Sequence, residues 1–341
     1  MKRKNTLALR IILPIATVVS MFFVPWDLLW AWLAPLPDSV QQQVEDAVDH
    51  GLDGIIVYVD KAGAEPTTYT AGWMNRDTRV PVKPQALFKI ASINKLFVAV
   101  ALAKMADAQM LSLDDTLSHY FPELQGRIEH ANEITLKLMV NHRSGIPNYM
   151  DSPDYPWEDP PKTTDESLAL ILDTPADFAP DQGYNYSNTN YLLLVEIIDK
   201  VLGYDHDQYI KNEILEPLNL KNTFSSLNDV DLDDVMSGYF VGYGPDIKTN
   251  YFGSMVATAE DVGIFLRALN DGSLFNGNEE EIYSSIYEYG HTGLLPGYSS
   301  IARYHRDLDA VVVQFVNTSG GTTWSMTEIV YNRVVKILRT K

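Results

Sequence analysis

Strand-like patterning in this chain of 341 residues is confined to its two ends. Near the start, "GIIVYVD" (54–60) and "TTYTAGWMN" (67–75) are rich in β-branched and aromatic residues on either side of the turn "KAGAEP". Near the end, "YSSIARYHRD" (298–307) and "DAVVVQFVN" (309–317) form an alternating pair around a short turn. Helical periodicity accompanies both pairs. Val40, Val44 and Val48 recur at i, i+4 and i+8 before Gly51, and "WSMTEIVYNRVVKIL" (324–338) reads as an amphipathic helix. Between the ends, residues from about 104 to 270 carry mostly helical patterns broken by Pro- and Asp-rich loops such as "MDSPDYPWEDPPKTTDES". Near the close of that stretch "TAEDVGIFLRAL" opens with Thr258 three residues before Asp261, a capping-box pattern. The expected fold class is α/β in the α+β sense: an antiparallel sheet flanked by helices, built from both chain ends, with a mostly helical insert.

Residues 1–36 read as a targeting segment and 37–340 as one domain. The first ten residues hold Lys2, Arg3, Lys4 and Arg10 with no acid, and "IILPIATVVSMFFVPW" follows with sixteen uncharged residues. Past Asp27 the apolar run resumes and adds Trp30 and Trp32 to Trp26. Two forms are expected: cleavage near Ala34, or an uncleaved, tilted signal anchor with the tryptophans at the outer interface. Either form exports the bulk of the chain to the periplasm or cell surface, with membrane contact through this segment only. The rest of the chain is acidic, 45 Asp and Glu against 26 Lys and Arg over the whole sequence, for a net charge of −19. Such a body repels phosphate backbones, so nucleic acid is excluded as a partner. The absence of cysteine excludes disulfides, thiolate zinc sites and thiol catalysis.

Within "KIASINKLF" (89–97), Ser92 stands three residues ahead of Lys95 at the start of an apolar helical run. Residues three apart share a helix face, which puts the lysine amine near the serine hydroxyl. Burial among "FVAVALA" would depress the lysine pKa and free the amine to act as a base. The bland alternative is that Ser92 merely caps the helix. Farther on, "YSN" at 186–188 sits in a polar loop running into a helix, where Tyr186 could exchange a proton and Asn188 could bind an amide or cap that helix. "HTG" at 291–293 marks a strand edge whose Thr-Gly ending admits close backbone approach by a ligand. No HExxH or aspartate cluster suggests a metal, and no Gly-x-Ser-x-Gly elbow is present, so no cofactor is expected.

Together, Ser92-Ile93-Asn94-Lys95, Tyr186-Ser187-Asn188 and His291-Thr292-Gly293 resemble the three signatures of the serine β-lactamase and penicillin-binding-protein superfamily. The tyrosine-containing second motif is similar to the class C β-lactamase and DD-carboxypeptidase branch. So are "ITLKLMVNHRSGIPNY" (134–149), "YSNTNYLLLVEIIDKVLG" (186–203), "ILEPLNLKNTF" (214–224) and "MVATAEDVGIFLRAL" (255–269). The resemblance runs from about residue 40 to about 335. It implies that Ser92 attacks an acyl carbonyl and is acylated, and that Lys95 and Tyr186 manage the protons, with the choice of base left open. By the same resemblance, the backbone N–H groups of Ser92 and Leu294 form an oxyanion hole, Asn188 and Thr292 orient substrate, and His291 and Gly293 complete the edge strand.

One departure bears on substrate. Most relatives of this kind carry lysine where His291 stands, and no Lys or Arg occurs from Ala268 to Ala302. Capture of a substrate carboxylate is therefore expected to fall to a His291 imidazolium and Thr292, or to a cation from another loop. The expected function is an exported serine hydrolase working through an acyl-enzyme on a small molecule or peptide. A peptidoglycan-derived peptide or an ester is the favoured substrate, and β-lactamase activity is the alternative. From a different class, the alternative is a catalytically silent protein that binds envelope ligands or a partner.

Overall fold

A computed structural model describes residue 13 and residues 19–340. Residues 1–12 and 14–18 of the segment expected to target the chain lie outside the described residues. Its final part forms helix α1 (Trp26–Leu33), which Pro25 and a turn at 22–24 separate from the helical residues 19–21. The turn at 22–24 and Pro25, which lacks an N–H, thus break the apolar run ahead of the three tryptophans, all of which lie on α1. Among the described residues no helix is long and apolar enough to cross a membrane. Instead α1 packs against the last helix of the chain through Ala31, and the buried Arg333 of that helix donates to the carbonyls of Ala34 and Pro35 at 2.8 and 2.7 Å.

The sheet closes from the two ends as the pattern predicts. Strands β1 (Gly54–Lys61), β2 (Thr67–Asn75) and β3 (Val80–Pro81) come first, and β4 (Phe88–Lys89), β5 (Thr223–Phe224), β6 (Tyr239–Phe240) and β7 (Val256–Ala257) are short. After them β8 (His291–Leu295), β9 (Tyr298–His305) and β10 (Ala310–Val316) form a meander, ending at β11 (Thr318–Ser319). All six strands of the main sheet, in the order β3-β2-β1-β10-β9-β8, pair antiparallel. The seam between chain ends is β1 with β10, from Ile55 opposite Val316 to Lys61 opposite Ala310.

Alternation along β1 assigns the two faces. Ile55, Val57 and Val59 face helix α2 (Val40–Asp49) and the final helix, with Val44, Ala47, Val330 and Val334 in one buried cluster. Ile56 and Tyr58 face the other way, into the larger core that holds α3 (Asn94–Asp107), α4 (Asn188–Leu202) and α5 (Ala259–Asp271). The final helix, α6, spans Thr323–Thr340.

The insert departs from expectation. Its helices apart from α4 and α5 are short, such as Leu136–Val140 and Thr164–Leu168, and long loops with small strand pairs fill much of the remainder. Moreover α5 belongs to the sheet layer, because its Gly263 lies so close to Tyr58 that a Cβ there would sit 2.1 Å from the ring. An apolar stripe of helical period announces a buried face without naming its partner. The capping-box pattern at α5 is half realised: Thr258 accepts from the Asp261 N–H at 3.2 Å, but the Asp261 carboxylate instead accepts from Asn222 N–H and Thr223 Oγ1.

Candidate active site

Ser92 lies in a 3-10 turn, Ala91–Ile93, that leads into α3. It caps nothing: the residue at the cap of α3 is Ile93, with no side-chain cap bond. Ala91 takes a φ of 51°, a left-handed conformation that few non-glycine residues adopt, and its N–H donates to Ser254 Oγ at 2.9 Å. Strand β8 presses on the same turn. A Cβ on Gly293 would meet Ser300 Oγ at 2.3 Å, the Ile90 carbonyl oxygen at 2.5 Å and Ala91 Cβ at 3.0 Å. The glycine of the third motif therefore makes room for the protein's own backbone rather than for a ligand.

Lys95 is at the centre. Its Nζ donates to Ser92 Oγ at 3.2 Å and to Asn188 Oδ1 at 2.9 Å, bringing the first two motifs together across 93 residues of sequence. The side chain is buried, it makes no ion pair among the described residues, and the rings of Tyr186 and Tyr191 lie 5.1 and 5.3 Å from the nitrogen. Ring faces and an amide oxygen do not replace the hydration that a charged ammonium loses. Burial therefore lowers the lysine pKa to about 7.

Tyr186 and Asn188 flank the start of α4, whose cap is Ser187 rather than Asn188. Asn148 Oδ1 accepts from the Asn188 N–H at 3.1 Å and from its Nδ2 at 3.3 Å, which turns the amide oxygen toward Lys95. The Tyr186 hydroxyl is buried with no hydrogen-bond partner among the described residues. Burial pushes this phenol up to about 12, against a smaller downward pull from nearby Ser92. Behind it lies His142, whose ring centroid is 4.4 Å from that of Tyr186. His142 Nδ1 accepts from the Ser187 N–H at 3.2 Å, which leaves any proton on Nε2. Burial foremost, then the charges of Lys95 and His291, hold this imidazole down at about 3. Neither His142 nor Asn148 was singled out for a role in the sequence, although both fall in "ITLKLMVNHRSGIPNY".

The third motif corrects an expectation. His291 Nδ1 faces the Thr292 carbonyl and must donate to it, so Nε2 accepts from Tyr287 Oη at 2.9 Å. With both nitrogens engaged and the residue half-buried, its pKa is pushed down to about 4, chiefly by desolvation. A histidine in this environment is neutral at working pH, so it is not the cation that receives a substrate carboxylate. Tyr287, four residues upstream, is the partner that the sequence did not reveal.

A cavity of about 430 Å³ gathers Ser92, Lys95, Tyr186, Asn188, His291, Thr292 and Leu294 on its walls. Gly293 is the one sequence-derived candidate behind the wall rather than on it. Tyr149, Trp157 and Phe252 also line the cavity. As to metals, Asp199, Asp205 and His206 form the one group of potential ligands among the described residues, at the end of α4. His206 Nδ1 already lies 2.9 Å from Asp199 Oδ1 there.

Comparison with known proteins places this geometry. A family model described as Beta-lactamase matches residues 39–285. Protein flp of Staphylococcus aureus (strain MW2) is 27% identical over 273 residues, which is 76% of this chain and 53% of its own length. The chain thus spans about half the length of the curated relatives it first matches. Among solved structures, D-amino acid amidase from Ochrobactrum anthropi SV3 complexed with L-phenylalanine is similar at 21% identity with a TM-score of 0.78, covering 88% of this chain and 98% of that one. A penicillin-binding protein from Bacillus halodurans is similar at 22% identity with a TM-score of 0.71, covering 85% and 98%. At such identities the structural likeness speaks for the fold.

Proposed function

Since the chain belongs to the β-lactamase family, and is a serine hydrolase of the serine β-lactamase and penicillin-binding-protein superfamily, we propose that Ser92 is its nucleophile and Lys95 its resting base. The observation that carries this reading is the contact of a buried, ion-pair-free Lys95 amine with Ser92 Oγ at 3.2 Å. An amine with a pKa of about 7 is neutral in half the molecules at neutral pH, whereas Tyr186, at about 12, holds its proton. Lys95 takes the Ser92 proton as Oγ adds to the substrate carbonyl. The Ser92 and Leu294 N–H groups stabilise the oxyanion, while Asn188 and Thr292 orient substrate. As the C–N or C–O bond breaks, Tyr186 gives its proton to the leaving atom and regains one from Lys95. Water then reverses the sequence to release the acid.

The substrate class best supported is an amide, peptide or ester of an amino acid, of the D-alanyl-D-alanine or D-amino acid amide kind. A D-amino acid amidase and a penicillin-binding protein sharing the fold support it. A neutral His291 leaves no cation at this motif for a substrate carboxylate, which weighs against a penicillin and a D-Ala-D-Ala peptide alike and favours amides and esters that carry no carboxylate there. We read residues 37–340 as one catalytic unit and place it outside the cytoplasm, on the basic and then apolar pattern of the first 36 residues. The reading is tested by a panel of D-amino acid amides, a D-Ala-D-Ala peptide, p-nitrophenyl esters and a penicillin. Turnover of amides or esters by the wild type is expected, together with its loss in Ser92→Ala. Undiminished turnover in that variant would refute the assignment.

A further inference from the structure

Tyr186 has to aim its hydroxyl at a leaving atom, yet residues 183–187 around it form neither helix nor strand. His142, which the mechanism above does not use, holds this stretch on both sides of the tyrosine. It lies two residues past the short helix Leu136–Val140 with a φ of 56°, a left-handed backbone that few non-glycine residues adopt. The Asn185 N–H donates to the His142 carbonyl at 3.1 Å, and the Ser187 N–H donates to its ring Nδ1 at 3.2 Å. Both neighbours of Tyr186 are thus bonded to one residue. The imidazole also packs on the phenol, with ring centroids 4.4 Å apart and planes 31° from parallel. Because the Tyr186 hydroxyl has no hydrogen-bond partner among the described residues, its direction comes from the main chain on either side and from this packing.

The His142 side chain is 3% exposed, and its Nε2 has no hydrogen-bond partner among the described residues. A neutral imidazole that accepts at Nδ1 carries its proton on Nε2, so the bond to Ser187 leaves a buried donor unmatched. Leucine would fill similar space without that cost, which makes the acceptor the reason for a histidine here. Burial, with the nearby charges of Lys95 and His291, keeps the ring neutral and the acceptor available. We propose that His142 is the positioning residue that aims Tyr186 for proton transfer to and from the leaving atom, acting through its hold on residues 185 and 187. The inference rests on the acyl-enzyme reading above. Ser187 has one further tie, its Oγ donating to the Pro147 carbonyl at 3.3 Å, so loss of the ring should loosen the loop without unfolding it.

Two esters of D-alanine, the ethyl and the p-nitrophenyl, separate this role from a general loss of structure in the full chain. Ethoxide leaves only once protonated, whereas p-nitrophenolate departs without a proton, so only the ethyl ester calls on Tyr186 during acylation, the stage that kcat/KM reads. In His142→Leu, and in His142→Gly, which eases the left-handed backbone, kcat/KM for the ethyl ester should fall by about 30-fold or more and for the p-nitrophenyl ester by less than about threefold. Circular dichroism and thermal melts establish that each variant is folded. His142→Asn tolerates the same backbone and places Oδ1 where Nδ1 stood, so its ethyl ester rate should stay within about fivefold of the wild type. In a Tyr186→Phe background, His142→Leu should cost the ethyl ester less than about twofold more, because the two residues act as a unit. Equal losses on both esters, a loss in His142→Asn as deep as in His142→Leu, or an undiminished effect in the Tyr186→Phe background overturns the inference and leaves the hydrolase reading intact. Cleavage of neither ester by the wild type, with no acyl adduct on Ser92, overturns both.

Discussion

Lys95 is the residue on which the pH behaviour turns. In the mechanism we propose, acylation needs its amine neutral, and burial sets its pKa near 7. The kcat/KM of a neutral ester should therefore rise with pH through about 7 and level off above about 8, because the uncharged fraction grows over that interval. His291 titrates near 4 and Tyr186 near 12, so neither adds a limb between those values. A profile that falls between pH 6 and 8 would contradict this assignment. The sequence singled out Ser92, Lys95, Tyr186 and Asn188, which the structure gathers on one cavity, because they stand in short motifs with a recognisable order. It did not disclose the charge state of His291, which depends on burial and on the Tyr287 hydroxyl. Nor did it disclose His142, whose contact with the Ser187 N–H exists only once the 134–149 segment folds against the start of α4.

Strand β8 holds the third motif against the Ser92 turn, and the contact is close enough to admit no side chain at Gly293. Gly293→Ala is expected to push the strand edge off Ile90 and Ala91, lowering stability by about 1–3 kcal/mol through overpacking. The acylation rate should fall by more than the loss of folded protein accounts for, because a displacement of about 1 Å in reacting geometry can cost about 100-fold. Thermal melts paired with single-turnover acylation check this, and a variant acylated at the wild-type rate would contradict it. Strands were legible because alternation also assigns their faces, as Ile55 and Ile56 show by entering different cores. The insert was not. Its loops are organised by two-residue strand pairs, β4-β7-β5 and β11-β6, too short to leave a periodicity. Helix α5 had the right cap and length, but only the fit of Gly263 against Tyr58 shows that it serves the sheet.

At the scale of the molecule, pairing of β1 with β10 makes both chain ends parts of one sheet; the Ser92 turn sits against that sheet's β8 edge, and Lys95 just beyond it bonds Asn188 at the start of α4. The export that we propose predicts that a periplasm-active reporter fused to the C-terminus is active, following the basic-inside bias of the first ten residues. Activity of a cytosolic reporter there would contradict it. The central claim, that this architecture makes Ser92 a nucleophile, is tested most directly by weighing the intact protein after rapid quenching from an amide or ester substrate. A mass increase equal to one acyl group, mapped to the peptide containing Ser92 and absent from Ser92→Ala, is the result expected. An adduct on another residue, or turnover with no adduct at Ser92 under conditions that trap acyl-enzymes, would contradict the account.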